Sequence, residues 1–212
     1  GNTSELSGAA DDLVFVVTET SDESDIDLSD NKCDIDQNRA GDQCTLRAAI
    51  EQANATSGRQ KIHFNIDGTG IPTISPGGAL PAISEEVKID GTTQPGTQSG
   101  KPGVELSGAA LGASNQIVGL ELAGKQSLVR GLVVNRFYTG IKLAGDGHHT
   151  LELDWIGVDK AGAAAARNIT GVLVQSPDNR IGGDSAAARN VISGNGLTGD
   201  ELKTLTDSLK SE

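Results

Sequence analysis

Residues 117–157 read IVGLELAGKQSLVRGLVVNRFYTGIKLAGDGHHTLELDWIG, and this stretch decides the fold. It consists of brief apolar segments separated by Gly, Asn or Asp, and none of them is long enough for a globular helix. The same pattern extends over residues 61–195, where eleven such segments follow one another. Short strand-type segments between turn residues predict an all-β protein.

An inexact internal repeat distinguishes between all-β architectures. Asn135, Asp154 and Asn179 occupy similar places after or within apolar segments, at spacings of 19 and 25 residues. Periods of about 20–30 residues are typical of a solenoid, in which each turn buries its apolar side against its neighbours. We therefore expect a parallel β-helix. The alternative is an antiparallel sandwich, for which the tight two-residue hairpin signals are few.

Composition also favours thin stacked layers. The chain has 28 Gly, one Trp, one Tyr and three Phe, so that small aliphatic residues supply nearly all its apolar mass. A compact globule usually relies on aromatic side chains, which bury about 150–250 Å² each. A globule low in aromatics is the alternative to the solenoid.

The charge of the chain restricts its partners. A net charge of −12 excludes nucleic acid as the main partner, because phosphate-binding sites need clustered Lys and Arg. No stretch approaches the ~20 apolar residues that span a bilayer, so we expect no transmembrane segment.

The cysteines point to an oxidising compartment. Cys33 and Cys44 lie eleven positions apart, with no further Cys and no nearby His to complete a zinc site. A disulfide closing so short a loop would contribute roughly 3 kcal/mol in the chain-entropy model. We therefore expect a secreted or cell-surface protein, with any signal peptide already removed. Two reduced thiols in a cytosolic protein are the alternative.

The loop around the cysteines is strongly acidic between residues 22 and 42. Within it, Asp34, Asp36 and Asn38 alternate as oxygen ligands do in Ca²⁺ loops, which makes Ca²⁺ the one cofactor to consider. The loop lacks the Gly and the terminal acidic residue of an EF-hand. A solvated acidic loop without metal is the alternative.

Helical periodicity occurs at two places only. Residues 45–55 (TLRAAIEQANA) place four apolar residues on one face, and Ser57 and Gly58 end the pattern. This predicts a helix that covers the first end of the solenoid. Residues 198–212 also carry leucines at helical spacing, which predicts a short C-terminal helix or a frayed tail. The chain then divides into residues 1–60, the β-helix at 61–197, and 198–212.

Residues 33–54, CDIDQNRAGDQCTLRAAIEQAN, resemble the N-terminal CSLREA domain of bacterial secreted β-helix proteins. The residues that match the signature are Cys44, Leu46, Arg47 and Ala49, whereas Thr45 and Ala48 depart from it. IDGTTQPGT (89–97), NRIGG (179–183) and RNVISGNG (189–196) are similar to later parts of the same proteins. The resemblance implies a right-handed parallel β-helix of the pectate-lyase-like superfamily.

Short polar side chains at turns suggest a structural role. In a solenoid, an amide at a turn can stack on its equivalent one layer away and satisfy its donors and acceptors without water. Asn135, Asp154 and Asn179 are the candidates for such a ladder.

The superfamily contains polysaccharide lyases and hydrolases, each of which needs a particular set of side chains. A lyase needs Ca²⁺ held by carboxylates and an Arg or Lys base, and the nearest set is Arg136, Asp154, Asp159 and Lys160. A hydrolase needs paired carboxylates, and its motifs are not found in the required order. His148 and His149, in GDGHH, are expected in an exposed turn.

Without a complete catalytic set, we expect a non-catalytic extracellular module that is adhesive, glycan-binding or structural. Its partners would be polysaccharides or cell-surface glycans. The alternative is a polysaccharide lyase or glycoside hydrolase, which rests on fold analogy alone. A purely structural N-terminal region of a longer surface protein is a third hypothesis.

Overall fold

The computed structural model describes residues 12–111 and 116–197, and this part of the chain is built mostly of short strands. Its fourteen strands form three sheets, and all the strand pairings within the sheets are parallel. The prediction of an all-β protein is confirmed, and the parallel pairing rules out the antiparallel sandwich.

Sheet A has six strands, in the order β1 (Val14–Val17), β2 (Gln60–Phe64), β4 (Val87–Asp90), β7 (Leu128–Arg130), β10 (Thr150–Glu152) and β13 (Arg180–Ile181). Sheet B has five, in the order β14 (Val191–Ile192), β11 (Trp155–Ile156), β8 (Leu132–Asn135), β5 (Val104–Ser107) and β3 (Thr73–Ile74). Sheet C has three, in the order β12 (Thr170–Val174), β9 (Thr139–Leu143) and β6 (Val118–Leu122).

The chain visits the three sheets in a fixed rotation. Strands β4, β5 and β6 enter sheets A, B and C in turn, and β7 to β9 and β10 to β12 repeat the sequence. We call each passage through A, B and C a circuit. Because each circuit pairs in parallel with the next one, equivalent residues form rows across the strands.

Rows of aliphatic side chains from all three sheets meet in one hydrophobic cluster. In sheet A, the buried row is Phe15, Ile62, Ile89, Val129 and Leu151. In sheet B, it is Ile74, Leu106, Val134 and Ile156. In the last strands the rows reach the surface, since Ile181 and Ile192 are about half exposed. The low aromatic content therefore goes with a core of stacked small aliphatics.

Two apolar segments of the sequence each contain two strands. LVRGLVV divides at Gly131 into β7 and β8, and LELDWIG divides at residues 153–154 into β10 and β11. Gly131 has φ +73°, and its Cα lies so close to the neighbouring circuit that a Cβ would be 2.9 Å from the backbone N of Thr92. Glycine is the residue that tolerates both conditions, so a single position can turn the chain from sheet A into sheet B.

The helix α1 (Leu46–Ala55) was predicted correctly. Thr45 caps it, because its Oγ1 accepts a hydrogen bond from the Ala48 N–H at 3.0 Å. The helix packs against β1 and β2 and buries six residues: Leu46, Ala48, Ala49, Ile50, Gln52 and Ala53. Among the described residues no helix has the length and apolarity needed to cross a membrane. The predicted C-terminal helix or tail lies outside the described residues.

Candidate functional site: a cleft on the outer face of sheet B

A cleft with a volume of about 160 Å³ lies over the outer face of sheet B. Trp155, the only Trp of the chain, lines it from β11 and is half-buried. One loop, residues 91–103, contributes Thr97, Gln98 and Lys101 to the lining, and a second loop contributes Lys160 and Ala161. The site thus combines one aromatic ring with several polar side chains.

The first wall is built from the IDGTTQPGT segment. Thr93 Oγ1 accepts from the Phe64 N–H at 2.8 Å, and the buried Gln94 side chain exchanges two hydrogen bonds with the backbone of Ile66. Asp90 Oδ1 accepts from both the N–H and the hydroxyl of Thr92. Burial alone would raise the pKa of Asp90, but the hydrogen bonds from Thr92 and Lys88 outweigh it and lower this pKa. The segment is therefore a structural anchor for the loop that carries Thr97, Gln98 and Lys101.

The second wall is a small hairpin, in which Val158 forms an antiparallel bridge with Ala165. Asp159 closes its tip, since Oδ1 accepts from the N–H groups of Ala163 and Ala164 at 2.8 and 3.2 Å. These hydrogen bonds lower the pKa of Asp159. Gly162 packs directly on the ring of Trp155, where an added Cβ would lie 2.6 Å from a ring carbon. The hairpin thereby holds the indole in one orientation.

A buried carboxylate, Glu105, lies beside the cleft and is only 5% exposed. Its Oε1 accepts from Asn135 Nδ2 at 2.8 Å and its Oε2 accepts from Thr73 Oγ1 at 2.6 Å. Two cations also converge on it: Arg136 at 3.6 Å and Lys160 at 3.9 Å. Lys160 Nζ also donates to Thr73 Oγ1 and to the carbonyl of Ile71. Glu105 thus organises the polar groups around the cleft without facing solvent itself.

The structure brings together part of the lyase-type set from the sequence. Arg136 and Lys160 share Glu105, and Asp159 belongs to the hairpin that carries Lys160. Asp154 does not join them, because it is fully buried at the corner between sheets A and B. Glu105, Trp155 and Lys101 were not among the predicted site residues. An acidic residue inside the apolar segment VELSG and the single Trp were the signals that could have identified two of them.

The three residues of the predicted ladder lie at different places and do not stack on one another. Asp154 lies at the corner from sheet A to sheet B, and Asn179 at the corner from C to A. Asn135 is the last residue of β8, where it bonds to Glu105 and to the carbonyl of Val158. Spacing in sequence alone could not separate the corners, because the three connections of a circuit differ in length.

Each corner instead has its own column of hydrogen bonds, in which a backbone N–H donates to the equivalent side chain of the next circuit. At the A–B corner, Leu132 donates to Asp154 and Asp154 to Asn190. At the B–C corner, Phe137 donates to Asn168 and Asn168 to Asn195. At the C–A corner, Val87 donates to Ser127, Ser127 to His149, and His149 to Asn179. Ser127, Asn168, Asn190 and Asn195 were missed from the sequence.

His149 is part of this structural system, contrary to the expectation of an exposed turn. His148 is exposed, as expected, but His149 is fully buried. Its Nδ1 accepts from the Ser127 N–H, so the proton is on Nε2, which lies 2.9 Å from the carbonyl of Ala144 and donates to it. The physical reason is the position of His149 directly before β10, where its side chain bridges two circuits.

Asp154 is the unusual member of the columns. Its Oδ1 accepts from the Leu132 N–H at 2.9 Å, but its Oδ2 is buried without a hydrogen-bond partner among the described residues. Burial raises the pKa of the Asp154 carboxyl well above its usual range, and the bond from Leu132 offsets only part of this effect. Asn190, one circuit further, uses the amide nitrogen at the equivalent place to donate to the carbonyl of Leu151.

At the three predicted Ca²⁺ residues, the carboxylate oxygens bond to groups of their own loop. Asp34 Oδ1 accepts from the N–H groups of Asp36 and Gln43, and Asp36 Oδ1 accepts from the N–H and side chain of Asn38. These oxygens thus close successive turns of their own loop. Across residues 12–111 and 116–197, no group of three or more His, Cys, Asp or Glu is arranged to hold a metal ion.

The CSLREA-like segment has structural contacts throughout. Cys33 and Cys44 form the predicted disulfide. Arg47 binds Asp22 through two nitrogens, at 3.1 and 2.9 Å, and donates to the carbonyl of Ala79. Asn54 accepts from the Ser84 N–H and donates to the carbonyl of Ala82, which ties α1 to the chain between β3 and β4. The residues that carry the resemblance therefore connect α1 to its surroundings.

No protein-family model matches the chain, and no curated protein matches it.

Proposed function

We propose that this chain is a right-handed parallel β-helix that acts as a non-catalytic extracellular module and binds glycans in the cleft beside Trp155. The rotation of the chain through sheets A, B and C supports the β-helix, as do the three corner columns. Crossover connections between parallel strands are right-handed in about 98% of cases, which supports the handedness.

The observation that carries the proposed function is the half-buried indole of Trp155 among polar groups. A sugar ring has an apolar face of C–H groups and a rim of hydroxyls. An aromatic ring that is held in one orientation can stack on the apolar face at little entropic cost. The hydroxyl groups of the rim can bond to the polar side chains that line the cleft, which are Thr97, Gln98, Lys101 and Lys160.

The chemistry of the lining favours binding over catalysis. The described residues that line the cleft include no Asp, Glu or His, so neither a carboxylate pair nor a histidine faces a bound sugar. Glu105 is buried beneath its partners, and Lys160 and Arg136 are bound to it. This arrangement suits a rigid binding surface, and the lyase or hydrolase hypothesis remains an analogy of fold.

Secretion and membership of the CSLREA-type proteins belong to the same proposal. The Cys33–Cys44 disulfide suits an oxidising compartment. The segment that resembles the CSLREA signature would serve as the N-terminal cover of the β-helix, because α1 packs on β1 and β2.

A glycan array tests the function directly. We expect the full chain to bind a subset of glycans, Trp155→Ala to lose this binding and Trp155→Phe to retain part of it. Tyr138→Ala is the matched control, since Tyr138 is a partly exposed aromatic residue, 39% exposed, that does not line the cleft. Equal loss in Tyr138→Ala, or no binding by the parent chain, would contradict the proposal.

Incubation with a panel of uronate and neutral polysaccharides, with and without Ca²⁺, tests the absence of catalysis. We expect no unsaturated or reducing products. Release of either product by the parent chain, and its loss in Lys160→Gln, would establish an enzyme instead.

A further inference from the structure

The charge of the cleft is opposite to that of the chain. The whole sequence has 29 acidic and 17 basic residues, whereas the described lining residues of the cleft include two lysines and no acidic residue. A positive site on a protein of net charge −12 is selective, because the rest of the surface repels anions.

We propose that the cleft takes an acidic saccharide, with its carboxylate or sulfate group between Lys101 and Lys160 and its ring against Trp155. This inference rests on the proposed glycan binding and specifies the class of glycan. The volume of about 160 Å³ suits one sugar unit with one charged substituent, the remaining units lying outside.

Lys160 is positioned for this role by its neighbours. Its Nζ donates to the carbonyl of Ile71 and to Thr73 Oγ1, at 3.2 and 2.9 Å. An ammonium group has three N–H donors. Two are used in these bonds, and Glu105 lies at 3.9 Å, beyond hydrogen-bond distance, so one donor remains for a ligand. Because the long side chain is already held by these bonds, binding costs little further side-chain entropy.

The buried carboxylate does not cancel the positive charge of the site. Glu105 lies closer to Arg136, at 3.6 Å, than to Lys160, at 3.9 Å, and it receives hydrogen bonds from Thr73 and Asn135. Asp159, the acidic residue next to Lys160 in sequence, bonds to the backbone of its own hairpin and does not line the cleft. Lys101 is exposed and forms no ion pair with any described residue. Two cations therefore line the cleft, and the nearest carboxylate is buried and shared with Arg136.

A groove on the outer face of sheet A serves as a comparison, because carboxylates neutralise its cations. It has a volume of about 300 Å³ and contains Arg59, Lys61 and Lys88. Each of these cations forms a short ion pair: Arg59 and Lys61 with Asp12, both at 3.1 Å, and Lys88 with Asp90 at 3.0 Å. Lys160 in the cleft lies farther from its carboxylate, at 3.9 Å. The cations of the groove are therefore less able to bind a ligand anion, and the cleft is the better anion site.

Calorimetric titration of the full chain with a glucuronate-containing oligosaccharide and with its methyl ester tests the inference. We expect the acid to bind at least tenfold more tightly than the ester, with affinity falling as NaCl is raised. Lys101→Gln and Lys160→Gln should each weaken binding of the acid about tenfold, the value of one hydrogen bond to a charged group. Lys125→Gln, an exposed lysine outside the cleft, is the control and should bind like the parent.

The outcomes separate this inference from the proposed function. Equal binding of acid and ester, both lost in Trp155→Ala, would overturn the acidic specificity and keep the glycan site. Absence of binding by either compound and by the whole array would overturn both. An equal loss in Lys125→Gln would show that overall charge, and not the cleft, sets the affinity. Lys101→Gln changes an exposed side chain, so it remains informative if Lys160→Gln fails to fold.

Discussion

The outer faces of sheets A and B are built from strands of the same kind but differ in how far their side chains are exposed to solvent. On sheet A, charged residues lie in rows and pair across strands, as Arg130 does with Glu152 at 3.2 Å. On sheet B, the outward residues Val133 and Asn135 are fully buried and Glu105 nearly so. Outward position in a strand therefore predicts a solvated side chain on sheet A, with the buried Asp90 as an exception, and fails for sheet B.

The cause is the length of the connections. β7 and β8 are joined by one residue, whereas residues 91–103 separate β4 from β5 and residues 157–169 separate β11 from β12. The long connections fold over sheet B, where the hairpin accepts a bond from Asn135 at the carbonyl of Val158. The loops, more than the strands, therefore create the candidate site.

The largest expected difference between the two faces concerns their carboxylates. Glu105→Ala removes the charged acceptor of two hydrogen bonds and leaves a donor of the buried Asn135 unsatisfied, so it should lower the free energy of unfolding by about 3 kcal/mol. Glu152→Ala removes one partly exposed ion pair on sheet A and should cost less than about 1 kcal/mol. Urea denaturation measures both, and equal losses would contradict the contrast.

The next effect concerns the two walls of the cleft. Gly162→Ala places a Cβ against the ring of Trp155 at a residue with φ +68° and should cost about 2 kcal/mol. Gly96→Ala is the matched control, because Gly96 has φ +80° but open space around its Cα, so that about 1 kcal/mol of backbone strain is expected. Thermal unfolding gives the stabilities. The steric explanation fails if the two variants are equally stable.

A gain in stability is expected at the corner between the faces. Asp154→Asn should add about 1–2 kcal/mol at pH 7, because the amide can donate where Oδ2 has no partner, as Asn190 does one circuit further. The folded pKa of Asp154 is raised, so the folded state holds a proton that the unfolded state releases above its pKa of 3.8. This contribution to stability is complete below pH 3.8 and is lost as the pH rises towards the folded pKa.

Urea denaturation of the parent chain and Asp154→Asn between pH 3 and 8 checks this sign. As the pH rises from 3 to 8, the free energy of unfolding should fall less in the variant than in the parent. Asp159→Asn serves as the opposite control, since its pKa is lowered in the folded state and its contribution disappears as the pH falls. A decrease of stability in Asp154→Asn at pH 7 would show that the carboxylate is charged and needed.

The smallest effect is expected for the ion pairs of sheet A. Lys61→Ala removes a partly exposed contact with Asp12 and should change the free energy of unfolding by no more than about 0.5 kcal/mol. Raising NaCl to about 1 M should abolish the difference, because exposed charges are screened. A loss comparable to that of Glu105→Ala would remove the distinction between the faces.

Local features of the site and fold were predictable, and features that need distant residues were not. The helix α1 and the Cys33–Cys44 bridge follow from periodicity and spacing within 22 residues, and both were predicted. Arg136 and Lys160 were selected for their chemistry, but not their common partner Glu105. The partners of Glu105 come from β3, β8, the residue after β8 and the hairpin, and no local pattern links these four places.

The sequence by itself determined the short strands, the helix before them, the low aromatic content of the core and the acidic surface, because periodicity, turn residues and composition act over a few residues. The tertiary structure alone decided which corner each polar residue occupies, which outward face is covered, and that Trp155, Lys101 and Lys160 meet at one cleft. The reason is that parallel pairing brings together residues about 20–40 positions apart, so the lengths of the connections set the register.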